Sequence, residues 1–168
     1  MATIDIQIRE ARSGDAAAIS AAHNAAWQNV YSGIIPGMTL NRMIARRDLT
    51  WWKKAIGNGG NIRVLVFGED IAGYASIRRN FRGGYRVMGE ICELYLKPEY
   101  QGTGLGGRLF LETLKAVRRK YGSGCIVWAL RQNDRACSFY RHMGGKEVAV
   151  SVDRFDGVAL EKVAFVWD

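Results

Sequence analysis

The sequence predicts an α/β (α+β) domain, a mixed β-sheet flanked by helices in the order β-α-α-β-β-β-α-β-α-β-β. Three observations lead there. Strand and helix periodicities succeed one another along the whole chain. Two turn signals, Gly68-Glu69-Asp70 and Asp156-Gly157, sit between strand-like runs and read as hairpins. The length of 168 residues, with no linker, repeat or low-complexity segment, suits one domain over residues 1–168 with one core.

The elements follow in order. Ile4 to Glu10 alternates apolar and polar residues and reads as a strand. Ser13 or Asp15 can cap a first helix, in which Ile19, Ala22, His23, Ala26, Trp27 and Val30 share a face. Gly33 and Pro36 end it. A second helix is expected from about Thr39 to Ile56, stopped by Gly57-Asn58-Gly59-Gly60. Asn61 to Phe67 and Ile71 to Arg78 form the first hairpin. Gly83-Gly84 breaks the chain, and Tyr85 to Leu96 is a long strand pattern. A helix from about Gly104 to Lys120 carries Leu105, Leu109, Leu114 and Val117 at helical spacing. Its last turn is basic, which suits the helix dipole, and Gly122 can cap it. Cys125 to Leu130 is a short apolar strand. Asn133 can cap a helix over Asp134 to Met143, ended by Gly144-Gly145. Lys146 to Arg154 and Val158 to Val166 form the closing hairpin.

Composition narrows the class. Hydrophobic residues make up 48% and charged residues 24% of the chain. That balance excludes disordered and collagen-like chains. No apolar run approaches the roughly 20 residues that a membrane span needs. The N-terminus lacks a cationic n-region, so a cytoplasmic protein with no membrane partner is expected. Cys92, Cys125 and Cys137 form no C-x-x-C pair, and His23 and His142 lie far apart, so no metal site is expected. The formal charge of +8 attracts anionic ligands. The basic residues are scattered, so nucleic acid is a possible partner that no basic run indicates.

Between a strand and a helix lies Tyr100-Gln101-Gly102-Thr103-Gly104-Leu105-Gly106-Gly107-Arg108. Glycines let backbone approach a ligand closely, and free N–H groups at a helix start make an anion site. The dinucleotide fingerprint fits poorly: Lys97 to Tyr100 separates the strand from the glycines, and Cys125 to Leu130 contains no acid. The P-loop requires Gly-Lys-Ser/Thr, but Gly107 precedes Arg108 and Leu109.

Gln101-x-x-Gly104-x-Gly106 instead resembles the pyrophosphate turn of the GNAT superfamily of N-acetyltransferases. Glu93 to Tyr100 resembles the strand and lead-in of that family, and Asn133, Ala136, Phe139, Tyr140 and Gly144 resemble its N-x-x-A-x-x-F-Y-x-x-x-G block. The resemblance covers nearly the whole chain and implies a mostly antiparallel central sheet. It implies acetyl-CoA as cosubstrate, held by Leu94, Tyr95 and Leu96 on the strand, by Gln101, Gly102, Thr103, Gly104, Leu105, Gly106, Gly107 and Arg108 in the turn, and by Asn133, Ala136 and Phe139. The main-chain N–H of Leu94 would receive the acetyl carbonyl and that of Leu96 the pantetheine arm. Tyr140 matches the general acid of the family; a phenol can donate to a forming thiolate.

The implied activity is transfer of the acetyl group from acetyl-CoA to a primary amine by direct attack. Such an amine is neutral in roughly one molecule in a thousand at pH 7, so a base is needed. Glu90 and Glu93 are the candidates; their odd separation on an ideal strand puts them on opposite faces. A base acting through water and a substrate that arrives neutral are the alternatives. His23 reads as a satisfied histidine on an apolar face. Trp27, Tyr31, Trp51 and Trp52 can line the acceptor pocket or simply pack. Cys137 lies one turn before Tyr140, but no histidine partner for a covalent route is visible. The acceptor is expected to be a small-molecule or peptide amine. A protein or aminoacyl-tRNA acceptor, and a non-catalytic acyl-CoA-binding regulatory module, are the alternatives. A homodimer is a further possibility that the resemblance suggests.

Overall fold

A computed structural model describes residues 3–59, 61–81, 87 and 89–168 of the chain. Gly60, the expected break at Gly83-Gly84 and the start of the long strand at Tyr85 lie outside the described residues. The elements are β1 (Ile6–Glu10), α1 (Ala16–Tyr31), α2 (Gly37–Arg46), α3 (Leu49–Ile56), β2 (Ile62–Phe67), β3 (Asp70–Arg79), β4 (Gly89–Leu96), α4 (Leu105–Tyr121), β5 (Cys125–Leu130), α5 (Asp134–His142), β6 (Lys146–Phe155) and β7 (Val158–Trp167). The seven strands form one sheet in the order β1-β2-β3-β4-β5-β7-β6. Every neighbouring pair is antiparallel except β4 and β5. None of the helices described is long and apolar enough to cross a membrane.

Two local predictions need correction. The helix expected from Thr39 to Ile56 is two helices, because the chain breaks at Arg47 and Asp48. Asp48 is extended, and its carboxylate accepts the Trp51 N–H at 2.8 Å. It thereby caps α3. Asp15 does precede α1, but its carboxylate faces backward. It accepts from the Arg12 N–H at 2.7 Å and pairs with Arg9 at 2.7 Å instead of capping the helix.

α1 packs on one face of the sheet, where Ala16, Ile19, Trp52 and Tyr74 share a core cluster. α4 and α5 cover the opposite face through Phe110, Leu114, Val117, Tyr140, Phe165 and Trp167. α5 has nine residues, too few to be stable alone in water. Its hold comes from aromatic packing. The Tyr140 ring lies 5.7 Å from Phe165 and 5.9 Å from Trp167 between centroids.

The centre of the sheet is shaped by one close approach. Gly73 on β3 faces Leu96 on β4. A Cβ at Gly73 would collide with the Tyr95 carbonyl oxygen and lie 3.2 Å from the Leu96 Cα, so only glycine lets β3 sit this near. Gly73→Ala is expected to lower stability by about 2 kcal/mol, and thus Tm by roughly 4–8 °C for a chain of this size. Thermal denaturation reads the effect; an unchanged Tm would mean that β4 has room to shift.

Candidate active site

The site begins where two strands part. β4 pairs with β5 only over Gly89, Glu90 and Ile91, opposite Cys125, Ile126 and Val127. Beyond Ile91 the strands splay, while β4 stays paired with β3 as far as Leu96. The Lys97 N–H donates to the Ala72 carbonyl at 2.8 Å. Antiparallel alternation then turns the Tyr95 and Glu93 amides toward β3 and the Leu94 and Leu96 amides into the gap. The Leu96 carbonyl, on the same side, accepts from Gln101 Nε2 at 3.3 Å.

The glycine turn closes the far end of this gap. Its lead-in is pinned by Asp70, which accepts from Lys97 Nζ at 2.9 Å and from the Tyr100 hydroxyl at 2.8 Å. Thr103 folds back, donating to the Tyr100 carbonyl at 2.5 Å. Gly102 and Gly104 have φ of 75° and 82°. Such values favour glycine, so the chain can enter α4 abruptly and bare its first-turn amides. Gly106 and Gly107 present backbone alone to the gap. The result is a cleft of about 440 Å³ between β4, β5, the start of α4 and α5.

Most of the predicted residues meet at this cleft. Glu93, Leu94, Tyr95 and Leu96 line it from β4, and Gln101, Gly102, Gly104, Gly106 and Gly107 from the turn. Asn133, Ala136, Phe139 and Tyr140 line it from α5, with Asn133 capping that helix by accepting the Ala136 N–H at 3.2 Å. Four predicted residues do not line the cleft with their side chains. Leu105 is buried in the core, Thr103 is spent within the turn, Arg108 is exposed beyond the lining, and Glu90 lies outside the cleft. The cation at the turn is Arg135, whose Nη2 is 3.8 Å from where a Cβ on Gly102 would be. A basic residue in the first turn of a helix opposes the helix dipole.

The two glutamates are arranged by a bulge. Ser76 pairs with Glu93 and Ile77 with Ile91, which leaves Cys92 as the extra residue on β4. The bulge reverses the parity expected from sequence, so Glu90 and Glu93 share a face. Ser76 Oγ donates to Glu93 at 3.2 Å, and Arg78 Nη2 pairs with Glu90 at 3.1 Å. A second hollow of about 250 Å³ opens on the α1 side of the sheet and reaches β6. Tyr31, Cys92, Glu93, Tyr95, Trp128 and Ala129 line both hollows and mark the passage between them. Among the described residues, Glu93 is the one carboxylate in that passage.

Burial acts on the titratable groups of the passage. Glu93 has a side chain only 10% exposed and pairs with Arg47. Burial raises its carboxyl above the usual range, opposed by that ion pair and by the Ser76 hydrogen bond. The Arg47 guanidinium lies over Trp51 at 4.5 Å and Trp27 at 5.0 Å, within reach of a cation–π attraction. The Tyr31 and Tyr95 hydroxyls are 2.5 Å apart, and burial pushes the Tyr31 phenol up to about 12. Burial also raises the Tyr140 phenol.

His23 is fully buried against Trp27, 4.4 Å between ring centroids. Burial lowers it to about 4, so it is neutral at pH 7, and it lines neither hollow. It is only half satisfied: Nδ1 bonds Asn24 Oδ1 at 3.0 Å, while Nε2 has no partner among the described residues. Cys137 is buried with its thiol raised, outside the cleft lining.

Residues 27–144 match the Acetyltransferase (GNAT) family. The chain is 40% identical over 57 residues to a spermidine N(1)-acetyltransferase of Thermoplasma acidophilum, covering 34% of this chain and 35% of that one. It is 33% identical over 76 residues to a glucosamine 6-phosphate N-acetyltransferase of Trypanosoma brucei brucei, covering 44% and 50%. The chain thus spans about a third to a half of the length of these curated relatives. Among solved structures, the PaiA N-acetyltransferase of Thermoplasma acidophilum in complex with coenzyme A superposes with a TM-score of 0.74 at 22% identity, covering 95% of this chain and 98% of that one. YncA of Salmonella typhimurium with acetyl-CoA gives 0.70 at 21% identity, covering 97% and 93%.

Proposed function

From the premise that the chain belongs to the acetyltransferase (GNAT) family, we propose that it transfers the acetyl group of acetyl-CoA to a primary amine of a small molecule by direct attack. One observation carries the reading. A cleft with bare amides and Arg135 at one end opens, at Glu93, into a second hollow on the other face of the sheet. A long phosphorylated thioester fits the first and an amine the second. The protein residues suit that cosubstrate: the turn offers backbone N–H groups without side chains, and the Leu94 amide faces the gap, free to donate to a carbonyl oxygen that gains charge.

In this reading Glu93 takes one proton of the ammonium, the freed nitrogen forms a bond to the acetyl carbon, the carbon–sulfur bond breaks, and the second proton that the nitrogen sheds ends on the sulfur as the thiol forms. The Tyr140 hydroxyl donates to the departing thiolate. Glu90, tied to Arg78 outside the cleft, is given no proton to carry in this reading. The raised Cys137 thiol argues against a covalent route, since only a thiolate is nucleophilic. Free thiols at Cys92, Cys125 and Cys137 fit a reducing compartment, and we assign the protein to the cytoplasm.

Calorimetry with acetyl-CoA and a panel of amines, amino acids and peptides with a thiol-release readout test the proposal. Saturable binding and amine-dependent thiol release are expected. Arg135→Ala should raise KM for acetyl-CoA about tenfold, the worth of one charge-assisted hydrogen bond, and leave kcat near wild type. Binding without thiol release for any acceptor would make the protein a non-catalytic acyl-CoA-binding module; no binding would overturn the proposal.

A further inference from the structure

Three carboxylates line the acceptor-side hollow, and each already has a cation. Glu93 pairs with Arg47, Glu90 with Arg78 at 3.1 Å and Asp153 with Lys162 at 3.0 Å. The three cations differ in what they have left. Arg47 is walled in by tryptophan rings. Lys162 is 9% exposed and lies over the Trp128 ring at 5.0 Å. Arg78 gives both of its hydrogen bonds from Nη2 to Glu90, at 3.1 and 3.3 Å. Its Nη1 and Nε make no hydrogen bond among the described residues.

Exposure divides this pair of side chains sharply. Glu90 is 7% exposed and Arg78 54%. A buried carboxylate thus tethers one end of the guanidinium, while the rest of its fork has no partner among the described residues at this edge of the hollow. A guanidinium edge matches a carboxylate with two parallel hydrogen bonds. The second ammonium of a polyamine would meet only carboxylates that are already neutralised. Arg78 follows Ser76 by two positions on β3 and so stands on the same face as Ser76 and its partner Glu93, a face that the bulge at Cys92 lets Glu90 share. Its Cα is two positions beyond Ser76, about 7 Å along the strand. The overall charge of +8 favours the approach of an anion.

We infer that the acceptor is an amine that also carries an anionic group, a carboxylate by preference, which Arg78 engages while Glu90 holds it in place. The inference rests on the acetyl-transfer reading and names its substrate class. Glu90 is then a positioning residue for acceptor binding.

Matched acceptors test it: L-lysine against cadaverine, L-tyrosine against tyramine, and glucosamine 6-phosphate against glucosamine, with spermidine as the polycation. In the wild type the anionic member of a pair should have the higher kcat/KM, about tenfold or more, through KM. Arg78→Met should bring the ratio to within about threefold by lowering the kcat/KM of the anionic member. Since Arg78→Met strands the Glu90 carboxylate, Arg78→Met/Glu90→Gln is measured beside it, and circular dichroism with thermal denaturation reports that both variants are folded. An Arg78-dependent preference confined to the phosphate pair supports the anion and identifies it as phosphate. Equal or better turnover of cadaverine, tyramine or spermidine, or a preference that survives in both variants, overturns the inference. Thiol release indifferent to the anionic group sinks this inference alone, whereas no thiol release with any amine sinks the acetyl-transfer reading beneath it.

Discussion

Glu93→Gln is expected to lower kcat by about 10²- to 10³-fold, the usual share of a positioned general base. The substitution keeps the size and most of the hydrogen bonding of the side chain, so Ser76 can still donate to it. What it removes is the ability to take a proton in the passage that joins the two hollows. Burial moves the Glu93 carboxyl upward, toward the pH at which a base works well, while Arg47 and Ser76 keep the ionised form accessible. The sign of the pH dependence follows. The base acts when deprotonated, so activity should rise with pH through a pKa above the ordinary carboxylate range. That limb should vanish in Glu93→Gln, leaving only the limb set by the amine itself. Steady-state rates across pH for both proteins check this. A Gln variant within about threefold of wild type, with the same acid limb, would assign deprotonation to water. Glu90→Gln should behave differently: it releases Arg78 and moves the KM of the acceptor more than kcat.

How much of this was legible in the sequence depends on how local each feature is. The glycine turn was, because its φ values and bare amides are properties of Gly102 to Gly107 themselves. The cap of α5 was, because Asn133 and Ala136 are near neighbours in the chain. The face of Glu90 was not, because the bulge at Cys92 arises from how β4 settles against β3. One extra residue inverts every side chain beyond it. The break at Arg47 was hidden by apolar residues that continue at helical spacing through α2 and α3, although Asp48 offered a cap. Its consequence is positional: the break is where Arg47 sits against Glu93 and the tryptophans. The acceptor-side hollow gathers Trp27, Glu93, Trp128 and Asp153 from four elements. No spacing in the sequence encodes such a meeting; only the topology of the sheet does.

Tyr140→Phe should lower kcat by about 10- to 100-fold and leave the KM for acetyl-CoA within about threefold. The ring is held by Phe110, Phe139, Phe165 and Trp167, all apolar contacts that phenylalanine reproduces. Stability should therefore be nearly unchanged, and the loss can be assigned to the hydroxyl. Burial raises the phenol, so it is protonated throughout the working range, as a donor must be. The same shift limits what it does. A thiolate with a conjugate-acid pKa of about 8.5 is a weaker base than a phenolate at about 10 or above. Complete proton transfer from Tyr140 is thus uphill, and its contribution is a hydrogen bond that strengthens as negative charge grows on sulfur. The expected effect therefore has the size of one lost donor to a developing charge. It also predicts that wild-type activity shows no basic limb from this group below about pH 10. Tyr31, whose hydroxyl is already engaged by Tyr95 at 2.5 Å, should lose less on change to phenylalanine. If Tyr140→Phe turned over at the wild-type rate while Tyr31→Phe did not, the donor to sulfur would be Tyr31, reached from the α1 side of the cleft.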